Sequence, residues 1–89
     1  MAREEKFLEA LRAWMDSTAA LHAAAESYRV EHAKAYLVAT GPDAARKAAA
    51  DAATGDNRVE RDACERAERA DYHRMIFYRG TAGEAEKDF

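Results

Sequence analysis

The stretch TGPDAARK, residues 40–47, is the strongest break in a chain whose composition otherwise favours helix. Residues 3–39 before it contain neither proline nor glycine, and most of them are good helix formers. Within the stretch, Gly41 is a natural helix stop, Pro42 cannot continue a helix, and Asp43 can cap the next helix or occupy its first turn. The sequence therefore predicts that two helices meet at this point.

On either side of the turn, the sequence predicts two helices of about equal length. One runs from about residue 3 to 39, the turn occupies 40–43, and the other runs from about 43 to 79, where Gly80 serves as a left-handed cap. Each helix then has about 36 residues and a length of ~54 Å. The predicted fold is all-α: one domain, residues 1–79, forming a long antiparallel helical hairpin that associates into a helical bundle.

The segment TGDN, residues 54–57, is a second point at which the chain can leave the helix. Gly55 stands there between poor helix formers. We favour a continuous or merely kinked second helix, because a break would leave residues 43–53 with only alanines to bury. A complete break is the alternative, and it would give three helices, the last starting near Asn57.

Both predicted helices carry a heptad series that supports the hairpin. The series in the first helix is Phe7, Leu11, Trp14, Thr18, Leu21, Ala25, Tyr28, His32 and Ala35. The series in the second helix is Ala45, Ala49, Ala52, Asp56, Val59, Ala63, Arg66, Ala70, His73 and Phe77. Folding about Gly41 places residue i roughly opposite residue 82−i, so large side chains meet alanines. Because alanines specify register poorly, a parallel pairing of extended chains is the alternative.

The end of the hairpin opposite the turn is apolar on more than one side. A helix presents one face to its partner, yet large apolar residues lie on other faces there as well. Exposed patches of this kind usually mark interfaces, so we expect two or more copies to bury these ends together. The predicted protein interface consists of Phe7, Leu8, Leu11, Met15, Tyr72, Met75, Ile76 and Phe77. The alternative is that residues 80–89 fold back over the patch.

Length, charge and cysteine content limit the class of protein. A chain of 89 residues has a small margin of stability by itself, so help from a partner or from self-association is expected. The formal net charge is −3, which provides no overall basic excess for nucleic acid. Cys64 is the only cysteine, which excludes an intrachain disulfide and fits a reducing setting. Without a signal-peptide pattern or an apolar run of ~20 residues, we expect a cytoplasmic protein that does not bind membranes.

No residue pattern in the chain predicts catalysis, a metal or a cofactor. His22, His32 and His73 lie too far apart along a hairpin to share a metal, and none belongs to a metalloprotease motif. Cys64 has no histidine within a helical turn to activate its thiol. There is also no phosphate-binding glycine loop and no serine in a nucleophile setting. We therefore expect that the protein is not an enzyme and uses no cofactor.

The segment NRVERDACERAERA, residues 57–70, interleaves arginines with carboxylates. Pairs such as Arg61–Glu65 and Glu65–Arg69 are four residues apart and stabilise a solvated helix face by a few tenths of a kcal/mol each. That solvated face is the simpler interpretation. The alternative is a strip on which single-stranded nucleic acid lies, with phosphates on arginines and bases stacked on tyrosines. Its candidate contact residues are Arg66, Arg69, Arg74, Tyr78 and Arg79, with Tyr72 nearby.

The last ten residues, GTAGEAEKDF, are small, polar and acidic, which predicts a flexible tail over 80–89. Their ending loosely resembles the acidic, phenylalanine-terminated tails by which bacterial single-stranded-DNA-binding proteins recruit partners. Terminal fraying without function is the simpler interpretation.

The run YRVEHAKAYLVATGPDAARKAAADAAT, residues 28–54, leads from a tyrosine-bearing helix through AKAYL and a Gly-Pro turn into ARKAAAD. It resembles a class of small helical-hairpin proteins of tailed bacteriophages and is distantly similar to phage recombination mediators. Mediators oligomerise, bind single-stranded DNA and help to load a recombinase. The resemblance implies a non-enzymatic accessory of DNA transactions in the host cytoplasm and directs attention to Arg66, Arg69, Arg74 and Arg79. The basic content typical of mediators is absent from this chain.

Three functions remain in competition at this level. The favoured one is a phage-type accessory or adaptor protein that binds itself and a host or phage protein through helix–helix contacts. The second is an oligomeric mediator of recombination that binds single-stranded DNA. The third is a structural or morphogenetic component in which hairpins tile into a larger assembly.

Overall fold

The structure, a computed structural model, describes residues 2–87, and of residues 81–87 it describes the helical backbone alone. Helix α1 is Ala2–Val38, α2 is Asp43–Ala53 and α3 is Gly55–Lys87. No strand occurs within residues 2–87, which confirms the all-α prediction. There are three helices because the second predicted helix is divided at Thr54, directly before the glycine at which the sequence left the choice open.

The turn between α1 and α2 lies where the sequence predicts it. Gly41 has a φ of 103° there, a backbone conformation that side-chain-bearing residues rarely adopt. Pro42 is the N-cap of α2 in an extended conformation, and its carbonyl accepts a hydrogen bond of 3.0 Å from the amide of Arg46. The glycine reverses the chain and the proline sets the entry into α2.

A group of four side chains, which we call the turn clasp, joins α1 to α2: Tyr36, Asp43, Arg46 and Lys47. The guanidinium of Arg46 donates to the backbone carbonyl of Tyr36 from Nε at 3.3 Å and Nη2 at 3.2 Å, and its Cζ lies 4.3 Å from the centre of the Tyr36 ring. The Tyr36 hydroxyl donates to Asp43, which also pairs with Lys47 at 3.0 Å. Since the last turn of α1 has no basic residue of its own, Arg46 supplies the cation that a helix C-terminus favours.

Helices α2 and α3 run back along α1 close to the predicted register. His32 Nε2 lies 2.8 Å from Asp51 Oδ1, one residue from its predicted opposite position. The indole of Trp14 donates to Glu68 Oε1 at 2.9 Å, and 68 is the position that the 82−i rule assigns to residue 14. These two contacts lie within one residue of the predicted levels, whereas the contacts of Ser17 with Asp71 and of Tyr28 with Arg61 lie six and seven residues from them.

The division between α2 and α3 is a single residue wide. Thr54 is buried, and its amide and its hydroxyl both donate to the carbonyl of Ala50, at 3.1 and 2.7 Å. Its own carbonyl accepts a hydrogen bond of 3.0 Å from the amide of Arg58, in the first turn of α3. The backbone bonding thus continues across the break, so α2 does not separate from α3.

The faces that the helices turn inward were predicted largely correctly for α1 and wrongly for the returning helices. The two buried residues of α1, Ala10 and Ala24, each lie one position before a member of the predicted series. All nine members of the first predicted series are partly buried, whereas all ten members of the second are exposed. The inward series of the returning chain is instead Thr54, Asn57, Arg61, Cys64, Glu68, Asp71, Met75 and Tyr78. This series keeps the heptad spacing, but each member lies one or two residues after a member of the predicted series. The predicted positions of α2 are alanines, which offer little area to bury, and those of α3 mix alanines with polar residues such as Asp56, Arg66 and His73. Neither set therefore specifies an apolar inward face.

The predicted end of the last helix at Gly80 is also wrong. Helix α3 continues through this residue to Lys87. A glycine inside a helix costs only about 1 kcal/mol relative to alanine, and among the described residues a positive φ occurs at Gly41 alone. The flexibility and recruiting role of the tail stay predictions, because the side chains of residues 81–89 lie outside those described.

The molecule is long and thin, with extents of 68 × 17 × 14 Å. Its radius of gyration is 19.5 Å, whereas a compact domain of this length has about 12 Å. The accessible surface is 6588 Å², compared with about 5,200 Å² expected for a compact monomer of this mass. Among residues 2–80, the buried hydrophobic residues are Ala10, Ala24, Ala50 and Met75, so little apolar surface stabilises the fold.

Candidate protein-interaction face

Five side chains near the ends of α1 and α3 opposite the turn make up what we call the apolar face: Leu8, Leu11, Met15, Tyr72 and Ile76. Leu8 and Met15 are seven residues apart and therefore share one stripe of α1. They are 52% and 58% exposed. Tyr72 is 41% exposed, and Leu11 and Ile76 are partly buried.

The contributions of the two helices lie on the same side of the pair. Leu8 and Met15 each follow an inward residue of α1, and Tyr72 and Ile76 each follow an inward residue of α3. The two helices run in opposite directions. For this reason the residue that directly follows an inward residue points to the same side of the pair on both helices. The rings of Trp14 and Tyr72, whose centres are 5.8 Å apart, connect the helices at this edge.

The other side of the pair at this end is mostly polar, apart from the exposed aromatic ring of Phe77. Lys6, Glu9, Arg74 and Tyr78 line an open groove there between α1 and α3. Phe77 is 63% exposed and precedes the inward residue Tyr78, so it belongs to this side and not to the apolar face. The two sides of the molecule therefore differ in chemistry.

The eight residues of the predicted interface fall into three groups. Met75 is buried between the helices and is not available to a partner. Phe7 is partly buried in the inward series of α1, and Phe77 lies on the groove side. Leu11 belongs to the same series as Phe7, but it follows the fully buried Ala10 and so lies toward the side of Leu8 and Met15. The remaining five form the apolar face. The structure thus brings together most, but not all, of the residues that the sequence singled out.

Beneath the apolar face, the helices meet through polar contacts that sequence reasoning missed. Besides the bond from Trp14 to Glu68, the hydroxyl of Ser17 donates to a carboxylate oxygen of Asp71. A partly buried indole needs an acceptor, and the register rule points from residue 14 to residue 68, so this signal was present in the sequence. Carboxylates at these positions leave the α1–α3 interface with less apolar contact than a leucine-rich helix pair has.

The proposed nucleic-acid strip is not continuous on α3. Arg66 is exposed on the outer surface of the helix. Arg69 follows the inward residue Glu68, so it is exposed on the side of the apolar face, where it lies 3.7 Å from Glu65. Arg74 lines the polar groove, with the partly buried Tyr78 beside it. Arg79 is five residues further on, which is about 140° around the helix, on the side of the apolar face. These groups do not point in a common direction.

The histidines and the cysteine occupy separate places. His22 is exposed, His32 pairs with Asp51, and the His73 ring lies 5.9 Å from that of Tyr72. Cys64 is partly buried in the inward series of α3. Within the described residues, no group of three or more histidine, cysteine, aspartate or glutamate side chains is placed to hold a metal ion.

Comparison of the chain with protein-family models, with curated proteins and with solved structures found no match. The described part of the chain also contains no helix that combines the length and the apolar character needed to span a bilayer.

Proposed function

We propose that this chain is a non-enzymatic, phage-type accessory or adaptor protein that acts through helix–helix contacts, including self-association into a helical bundle. The observation that carries the proposal is the exposed apolar face on a molecule with very little buried apolar surface. The phage assignment rests on the resemblance of residues 28–54 alone.

The small interior is the first argument for a partner. Three of the four buried hydrophobic residues are alanines, which contribute little hydrophobic stabilisation each. The accessible surface exceeds that of a compact chain of equal mass by about a quarter. A second copy that covers part of this surface would supply the apolar burial that the single chain lacks.

The position of the apolar face is the second argument. Its members come from two helices and lie together at one end of the molecule, whereas scattered single apolar residues are normal on any protein surface. A helix–helix interface also needs side chains at heptad spacing, which Leu8 and Met15 provide. The dispersed arginines of α3, by contrast, do not favour the single-stranded-DNA alternative.

The proposal is tested by measuring mass in solution by multi-angle light scattering. We expect the wild-type protein to be oligomeric and Met15→Asp to be monomeric, because an aspartate in the buried interface is costly to desolvate. Val59→Asp is the matched control, since Val59 is also exposed and apolar but lies on the outer surface of α3. A wild-type protein that is folded by circular dichroism and monomeric at high concentration would contradict the proposal.

A further inference from the structure

We propose that the second copy binds the apolar face with its turn at the same end of the assembly, so that α1 of each copy packs against α3 of the other. The result is a two-fold symmetric, four-helix bundle in which every helix is antiparallel to its neighbours. This inference rests on the self-association proposed above and adds its geometry.

Two arrangements bring the same face of two copies together with two-fold symmetry. When the axis runs along the long dimension of the molecule, both turns lie at one end and α1 meets α3 of the other copy. When the axis runs across the molecule, the turns lie at opposite ends and each helix meets its own counterpart. The two arrangements place different residues opposite one another, so the side chains decide between them.

The apolar residues match in the first arrangement. Rotation about the long axis keeps every residue at its own height, so residues that face one another within a copy also do so between copies. Leu8 therefore meets Ile76 of the other copy, and Met15 lies near Tyr72 of the other copy. In the second arrangement Met15 would instead lie near Glu26 of the other copy, in the middle of α1.

Charged residues on the side of the apolar face also favour the first arrangement. Glu4 lies four residues before Leu8, and Arg79 lies three residues after Ile76, so both border the apolar face. The first arrangement brings Glu4 to the height of Arg79 in the other copy. It also brings Glu26, which holds Arg29 at 2.6 Å within its own copy, to the height of Arg58 in the other.

The second arrangement is electrostatically unfavourable at its centre. Around the middle of α3, the crossing axis would place Arg58 of one copy near Arg69 of the other. Like charges brought together at an interface destabilise it. The first arrangement also brings Arg12 close to the height of Arg69 in the other copy, but its Glu4–Arg79 and Glu26–Arg58 pairs have opposite charges and outnumber this like-charge pair.

The side of the molecule that carries the apolar face is large enough for a stable dimer. A molecule 68 Å long and 17 Å wide presents a side on the order of 1,000 Å², whereas a standard interface buries about 800 Å² per partner. Only the arrangement with both turns at one end covers this length while keeping the apolar residues in contact.

The experiment measures the distance between the two turns of a dimer. A spin label is attached at Thr40→Cys in a Cys64→Ser background, because Thr40 is exposed in the turn and lies outside the interface. Double electron–electron resonance should give a distance well below half of the 68 Å molecular length. A distance approaching the full length would overturn the inference.

Light scattering on the labelled protein separates this inference from the proposed function. A monomeric mass contradicts self-association and the bundle together. A dimeric mass with widely separated turns contradicts the bundle geometry alone. As a second measurement, mixed Leu8→Cys and Ile76→Cys chains should form a disulfide between copies, whereas a mixture of Leu8→Cys and Ala33→Cys chains would do so only if the turns lie at opposite ends.

Discussion

At the scale of single residues, the turn clasp has electrostatic consequences that can be measured. The hydrogen bond from the Tyr36 hydroxyl, followed by the one from Lys47, lowers the pKa of Asp43. The same bond to the Asp43 carboxylate raises the pKa of Tyr36. The two shifts have opposite signs because one bond favours the ionised carboxylate and the neutral phenol.

We predict that Tyr36→Phe raises the pKa of Asp43 toward the ordinary range of an aspartate, because the largest cause of its lowered value is removed. The titration of the Asp43 side chain, followed by carbon-detected NMR, measures this shift. Tyr28→Phe is the matched control, since Tyr28 packs with His32 and Arg61, remote from Asp43. An unchanged Asp43 titration in Tyr36→Phe would show that the clasp does not form in solution.

The clasp also sets a pH window for stability. A carboxyl group whose pKa is lowered on folding contributes stability above its ordinary value, about 4, and loses that contribution as the pH falls through the lowered value. A phenol whose pKa is raised contributes below its ordinary value, about 10, and loses the contribution as the pH rises through the raised value. The difference in melting temperature between wild type and Tyr36→Phe should therefore be largest between these limits.

For whole helices, the inward face could be predicted from the sequence where large apolar side chains mark it and could not be predicted where they are absent. Helix α1 carries Phe7, Trp14, Leu21 and Tyr28 at heptad spacing, and these large side chains specify which face turns inward. The predicted positions of α3 mix alanines with polar residues such as Asp56, Arg66 and His73, so they specify no apolar face. The rotation of α3 is decided instead by individual contacts such as those of Glu68. Those contacts depend on the partner helix and are not visible in the periodicity of α3 alone.

This difference between α1 and α3 also explains which residues of the candidate site could be predicted from the sequence. Leu8, Met15, Tyr72 and Ile76 were found because large apolar residues outside the inward series are informative on either helix. Met75 was misplaced because the predicted rotation of α3 was wrong.

Two glycine substitutions test the backbone conformation at the turn and at the break between α2 and α3. Gly55 has a negative φ, and a Cβ placed on it would meet no atom within 4 Å, so we expect Gly55→Ala to stabilise the protein by about 0.5–1 kcal/mol. Gly41→Ala should instead destabilise it by about 1–2 kcal/mol, because the φ of 103° is strained for any residue with a side chain. Urea unfolding curves of the two variants measure both changes.

A loss of stability in Gly55→Ala would show that the break between α2 and α3 needs a glycine. The hydrogen bonds of Thr54 to Ala50 argue against this, because they end α2 without any unusual backbone angle at position 55.

At the scale of the whole molecule, the placement of charge bears on the single-stranded-DNA alternative. The net charge is −3, and the arginines of α3 point in different directions around the helix. We predict that fluorescence anisotropy with labelled single-stranded DNA shows no tight binding at about 50 mM salt.

Tight binding that weakens steeply at about 200 mM salt would contradict this expectation. In that case Arg69→Ala with Arg74→Ala should reduce both the affinity and the salt dependence. Arg29→Ala with Lys34→Ala, which removes two exposed positive charges from α1, is the control with an equal change in net charge.

The elongated shape has a hydrodynamic consequence. A rod about four times longer than it is wide meets more friction in solution than a sphere of equal mass, and its end-over-end tumbling is slower than its spinning about the long axis. A monomer would therefore leave a gel-filtration column early, at the position of a heavier globular standard. Side-by-side pairing doubles the mass and the thickness without adding length, so the dimer should have a lower frictional ratio than the monomer, a difference that sedimentation velocity resolves.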